Sequence, residues 1–163
     1  MSAKPKSSGT VRTSIRLSVL DLQMIDEMLE AGEFRNMSAV FNASLGVYYR
    51  IWNFLHSGKN IFAKSPGSQR DISIDLDGYY VEGGGALSGD SVRNVQVSLL
   101  SVHLKKIEGG GRSLADVARS ALAVNSIFRS YINDKYQIWL KSDQGEEQFS
   151  IDDLLFKGNV VSL

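Results

Sequence analysis

The sequence predicts a mainly α fold with a short antiparallel β-ribbon, assembled as a pseudo-dimer and extended by one or two small β-hairpins. Two observations lead there. An alternating polar–apolar stretch is followed by two helix-like segments, and the whole pattern occurs twice in 163 residues. A lone strand with two helices leaves both strand edges unpaired, so a second copy is needed to complete it.

The elements follow in chain order. Residues 1–10 hold two Lys, a Pro, a Gly and small polar residues; they cannot bury a core and read as a flexible basic arm. The first copy spans 11–56. Its strand, VRTSIRLSV, alternates Ile15, Leu17 and Val19 with Ser14, Arg16 and Ser18. Asp21 is placed to cap a helix to about Ala31, with Leu22, Ile25, Met28 and Leu29 on one stripe, and Gly32 ends it. Asn36 is placed to cap a second helix to about His56, with an apolar face from Val40 to Leu55.

Residues 57–91 form a Gly- and Pro-punctuated insert, within which DISIDLDGYYV reads as a hairpin turning at Asp77-Gly78. The second copy spans 92–134. Val95, Val97 and Leu99 alternate with Asn94, Gln96 and Ser98. Ser101 is placed to cap a short helix carrying Leu104 and Ile107, and Ser113 to cap a long one to about Ile132. Residues 135–163 read as a C-terminal hairpin with an acidic tail.

The copies align residue by residue. FRNMSAVFNASL (34–45) lies over GRSLADVARSAL (111–122), matching Arg35 with Arg112 and the caps Asn36 with Ser113. Aligning the strands by their apolar positions sets Ile15 on Val95 and Arg16 on Gln96, and makes the second copy's first helix about one turn shorter.

TSIRLSV with FRNMSAVFNASL, and RNVQVSL with GRSLADVARSAL, resemble the ribbon-helix-helix family of the Arc and MetJ class. They are similar to its alternating strand and its G-(Y/F)-R-S-x-S-E-h-h-R-x-A-L helix entry. The tandem, single-chain form resembles TraY-type conjugation accessory proteins. The chain departs from the family at Ala39, where an acidic residue is common, in the 57–91 insert, and in the short helix around 101–108.

The resemblance implies double-stranded DNA as partner, read by the ribbon in the major groove. The base-contacting candidates are Ser14, Arg16, Ser18, Asn94, Gln96 and Ser98. All are polar and none is acidic, and Arg matches guanine while Asn or Gln matches adenine. The phosphate-contacting candidates are Arg35, Asn36, Met37 and Ser38 at one long helix, and Arg112, Ser113 and Leu114 at the other. Lys4, Lys6 and Arg12 of the arm join them. Unlike copies imply an asymmetric target rather than a palindrome. The expected roles are transcriptional repression or accessory binding at a plasmid transfer origin, with a relaxase or other DNA-processing protein as a further partner and self-association on adjacent sites.

Overall charge is neutral, 18 basic against 18 acidic side chains. Residues 1–56, the arm with the first copy, carry net +1 and the second copy carries +3, while the segments 57–91 and 135–163 each carry −2. Such weak basicity predicts a shallow salt dependence. The absence of Cys excludes disulfides and thiolate chemistry. No nucleophile–base set, metal set or cofactor motif is visible, so no enzyme, metal or cofactor is expected. Asp71, Asp75 and Asp77 lack calcium-loop spacing. His56 and His103 read as surface or helix-end residues. Phe41, Tyr48, Trp52 and Trp139 read as core or packing surface rather than base-stacking platforms. There is no apolar run of membrane-spanning length and no apolar signal core, so the expected location is the cytoplasm. The alternative function is a protein-interaction module of antitoxin type without strong DNA affinity.

Overall fold

The computed structural model describes residues 9–68, 70–81 and 91–149. Lys4 and Lys6 of the arm, and the acidic tail from 150 onward, lie outside them.

Strand β1 (Thr10–Ser18) buries Ile15 and Leu17 and exposes Ser14 and Arg16. Helix α1 (Val19–Glu30) follows with no intervening residue. It is capped by Ser18 rather than Asp21. The Ser18 hydroxyl accepts from the Asp21 N–H, and the Asp21 carboxylate accepts from the Ser18 N–H at 2.8 Å, a reciprocal capping box. Helix α2 (Met37–His56) is capped by Asn36 as its sequence predicts. Strands β2 (Asn60–Lys64) and β3 (Asp71–Ser73) come next, then a turn of 3-10 helix at Asp77–Tyr80. The second copy contains β4 (Ser91–Leu100), α3 (Ser101–Gly109), α4 (Leu114–Asn133), β5 (Gln137–Ser142) and β6 (Gly145–Phe149). Helix α3 has nine residues against twelve in α1, and Ser101 is its first residue rather than its cap: Leu100 holds the N-cap position and no side chain caps it.

β1 and β4 pair antiparallel as the expected two-stranded ribbon. The rest of the fold class is corrected. The described residues form four helices and two antiparallel sheets, 50% helical and 28% strand, which is an α+β fold rather than a mainly α one. The additions are not separate hairpins: they merge into one four-stranded sheet in the order β3-β2-β5-β6. An isolated hairpin is marginal in water, whereas four strands on a helical layer bury a shared face. The hairpin expected over 71–81 does not form. Its first strand, β3, pairs back onto β2, and Asp77-Gly78 belongs to the 3-10 turn.

The new sheet extends the duplication beyond the long helices. Each long helix ends, a three-residue connection follows, and a strand begins: His56 to Asn60, and Asn133 to Gln137. Asn-Ile-Phe-Ala-Lys lies over Gln-Ile-Trp-Leu-Lys without a gap. β2 and β5 pair antiparallel with Phe62 opposite Trp139, so equivalent residues of the two copies meet at the sheet's centre. The whole described chain is thus two copies of β-α-α-β-β about a pseudo-two-fold axis. The ribbon lies at the N-terminal ends of α2 and α4, and the four-stranded sheet follows their C-terminal ends. Twenty residues of helix separate them, about 30 Å.

The core runs along that axis. Val40, Leu45, Val47 and Ile51 of α2 are fully buried, as are Ala121, Leu122, Val124 and Phe128 of α4. Ile15, Leu17, Val97 and Leu99 close it under the ribbon, and Ile61, Ala63, Ile138 and Leu140 close it under the sheet. Burying each Leu, Ile or Phe contributes about 1.5–3 kcal/mol. Each long helix also reaches into the other copy. The Asn42 amide donates to the Ser98 carbonyl and accepts from the Leu100 N–H. Arg119 of α4 donates to Asp21 of α1 at 2.7 Å.

Candidate nucleic-acid interface

Ribbon register fixes which side chains share the outer face. Arg12 stands opposite Ser98, Ser14 opposite Gln96, and Arg16 opposite Asn94. Alternation puts these six on one side and Ile15, Leu17, Val95, Val97 and Leu99 on the other, buried. Arg12, Ser14, Arg16, Asn94 and Gln96 are exposed, and Ser98 is half-buried. Five of the six base-contacting candidates therefore come together in one patch. Neither Arg12 nor Arg16 makes an ion pair or hydrogen bond among the described residues.

Ser18 is the exception. A bulge between Leu17 and Ser18 turns it inward, and it is fully buried. Its hydroxyl bonds Asp21, so it caps α1 and has no access to a groove.

Arg12 moves the other way. It was grouped with the arm, but β1 begins at Thr10, and strand parity sets Arg12 beside Ser14 and Arg16. The alternation R-x-S-x-R over 12–16 carried that signal. The symmetry is also re-registered. The strand–helix junctions, Ser18/Val19 and Leu100/Ser101, are equivalent, so Ser14 and Gln96 meet at the axis. Arg16 is matched by Ser98 and Arg12 by Asn94. Arg16 and Gln96 are not equivalent, because apolar matching slipped the strands by two residues.

The helix N-termini differ. At α2, the Asn36 side chain accepts from the Ala39 N–H at 2.9 Å, leaving the first-turn N–H groups of Met37 and Ser38 without intrahelical partners. The Ser38 hydroxyl accepts from the Ser98 N–H, tying this end to the ribbon. Arg35 is exposed beside it, with no partner among the described residues. At α4, Ser113 accepts from the Asp116 N–H, and Asp116 brings a carboxylate into the first turn. Leu114 and Ala115 are half-buried there.

Arg112 does not face outward from this end. Its guanidinium donates to Asp116, the Tyr48 hydroxyl, the Tyr79 carbonyl and Ser120. Four of its five N–H groups are taken by the protein, so it is an internal tie rather than a phosphate contact. The first copy's acid nearest the ribbon in sequence, Asp21, does not oppose it. Asp21 is sealed beneath it, accepting from Ser18 and Arg119.

His103 stands in the first turn of α3, half-buried, at a helix end as expected. Desolvation lowers its pKa to about 4, with the Lys106 charge as a lesser cause, so it is neutral near pH 7. Among the described residues no group of three or more His, Cys, Asp or Glu could hold a metal, and no helix is long and apolar enough to cross a membrane. Comparisons with family models, curated proteins and solved structures find no match to this chain.

Proposed function

We propose that this protein binds double-stranded DNA sequence-specifically by laying the β1/β4 ribbon in the major groove. The observation that carries this reading is the outer row of cross-strand pairs Arg12–Ser98, Ser14–Gln96 and Arg16–Asn94. It offers hydrogen-bonding groups of the kinds that discriminate bases, has no acid, and stands on a rigid two-stranded support. A two-stranded ribbon fits the groove's width. The first turn of α2, with Arg35, Asn36, Met37 and Ser38, lies beside the ribbon and supplies a phosphate contact at one end. The two ends of the ribbon differ in residue type, so the favoured target is asymmetric. Its use is transcriptional regulation or accessory binding at a transfer origin, with the ribbon acting in either role.

Selection of genomic fragments on the purified protein at near-physiological salt, read by sequencing, tests the reading. Enrichment of a short asymmetric motif is the expected result, and its position relative to promoters or a transfer origin separates the two roles. Absence of any DNA retention, even at low salt, would leave the ribbon as a wet sheet face and favour a protein-interaction role.

A further inference from the structure

The duplication creates two equivalent clefts, each between the long helix of one copy and the first helix of the other. They have diverged in chemistry. The first lies between α2 and α3 and has a volume of about 440 Å³. Tyr49, Trp52 and Asn53 line it on one side and Lys105, Lys106 and Ile107 on the other, with Tyr48, Tyr80 and Arg112 at its back. The second, of about 370 Å³, lies between α4 and α1. There the places of Tyr49, Trp52 and Asn53 are taken by Ser126, Arg129 and Ser130, and the facing helix offers Met24, Glu27 and Met28. Arg129 also pairs with Glu33, so its cation is matched by an acid of its own cleft.

Of the two, only the first cleft is itself lined by flat rings with cations facing them; in the second, Arg129 lies over Phe34, which is buried and does not line the cleft. Trp52 is 40% exposed and stacks on His56, with ring centres 3.7 Å apart. Lys106 sits over the Tyr49 ring at 5.2 Å. Neither Lys105 nor Lys106 has an ion-pair partner among the described residues. The back wall is rigid: Tyr48 stacks on Tyr80 at 4.2 Å, the Tyr48 hydroxyl donates to the Tyr79 carbonyl and the Tyr80 hydroxyl to the Tyr48 carbonyl, each at 2.7 Å. Burial raises the Tyr49 pKa to about 12 and that of Tyr80 further, so both rings stay neutral. A cleft of this volume suits a small organic ligand, and mostly apolar walls with a few convergent charges are the usual composition of such sites.

We infer that the α2/α3 cleft binds a planar aromatic anion, its ring against Tyr49 and Trp52 and its phosphate or carboxylate on Lys105 and Lys106. A ring alone would leave the lysines unmatched, and a bare anion would gain little from the aromatic wall. This inference does not depend on the DNA-binding reading.

Isothermal titration calorimetry of the full chain tests it. The probes are adenosine monophosphate and indole-3-acetate, with adenosine and inorganic phosphate as the separated halves of the first and indole and acetate as those of the second. The expected result is one-to-one binding of at least one aromatic anion, at least about tenfold tighter than either half. Adenosine monophosphate as the binder would indicate a nucleotide, and indole-3-acetate an aromatic carboxylate. Lys105→Gln with Lys106→Gln, both exposed positions, should weaken binding at least about tenfold at unchanged Tm, as should Trp52→Ala. Ser126→Ala in the sister cleft should change nothing. The inference is overturned if neither anion binds at about 1 mM. It is equally overturned if binding survives the double lysine substitution, or if Ser126→Ala weakens it as much.

Discussion

Lys135 occupies in the second copy the place that Gly58 occupies in the first, and both have a left-handed backbone, with φ of 70° and 77°. Each follows the C-cap of a long helix, Ser57 in one case and Asp134 in the other. A side chain at this φ is strained, and glycine is not. Lys135→Gly should therefore stabilise the protein by up to about 1 kcal/mol, and Gly58→Ala should cost about 1 kcal/mol. Nothing lies within 4 Å of a Cβ built on Gly58, so the cost is conformational rather than steric. Denaturant midpoints of the two variants, moving in opposite directions, check this.

The cluster of Ser18, Asp21 and Arg119 separates a structural serine from a base-reading one. Ser18→Ala removes a cap and should cost about 1–2 kcal/mol, while leaving sequence preference on DNA unchanged. Asp21→Ala leaves Arg119 facing a fully buried vacancy and should cost more, about 3 kcal/mol. Thermal unfolding of both variants, with DNA selection repeated on Ser18→Ala, gives the comparison. A changed motif with Ser18→Ala would restore that residue to the ribbon's outer face.

The three arginines at or near the interface should behave in three ways. Arg16→Ala should cost about 1–3 kcal/mol at one base position and relax specificity there. Arg35→Ala should weaken binding to all sequences alike and reduce the salt slope by about one. Arg112→Ala should leave the salt slope alone and destabilise the fold by about 3 kcal/mol, because the largely buried Asp116 carboxylate loses its ion pair with Arg112 and the Tyr48 hydroxyl loses one of its hydrogen bonds. Salt titrations of DNA affinity, set beside melting curves, sort them. Equal losses from Arg16→Ala on cognate and random DNA would remove its base-reading role.

His103 makes stability pH-dependent. Its folded pKa, about 4, lies below the ordinary value of 6.5, so the unfolded chain binds the proton more readily. Its stability contribution is whole above about pH 6.5. As pH falls from there toward 4 it is lost progressively, to a limit on the order of 3 kcal/mol. His103→Leu should flatten the fall of Tm over that window. An unchanged pH profile would mean that another group carries the acid sensitivity.

Some of this was legible from local sequence. The caps Asn36 and Ser113, and the buried stripes of α2 and α4, are signalled within a few residues of where they act. So is the outward row Ser14, Arg16, Asn94 and Gln96, because strand parity has a period of two. The four-stranded sheet was not legible. Ile61, Phe62 and Ala63 are all buried, so β2 lacks the alternation that marks a strand, and its partner β5 is far along the chain. Ser18 obeyed parity on paper and broke it through one bulge. Arg112 was read from its place beside a cap. Its direction is set by Tyr48 and the Tyr79 carbonyl, which no local pattern reveals.

The pairing of Phe62 with Trp139 joins the two copies at one end of the molecule, as Ser14 with Gln96 joins them at the other. Two equal subunits held this way would separate on dilution. Here both belong to one polypeptide, so assembly is a first-order event and the unfolding midpoint should not depend on how much protein is present. The covalent join also frees each half from its twin. A substitution that suits one end of the ribbon need not be tolerated at the other, which is how an arginine at position 16 coexists with a serine at 98.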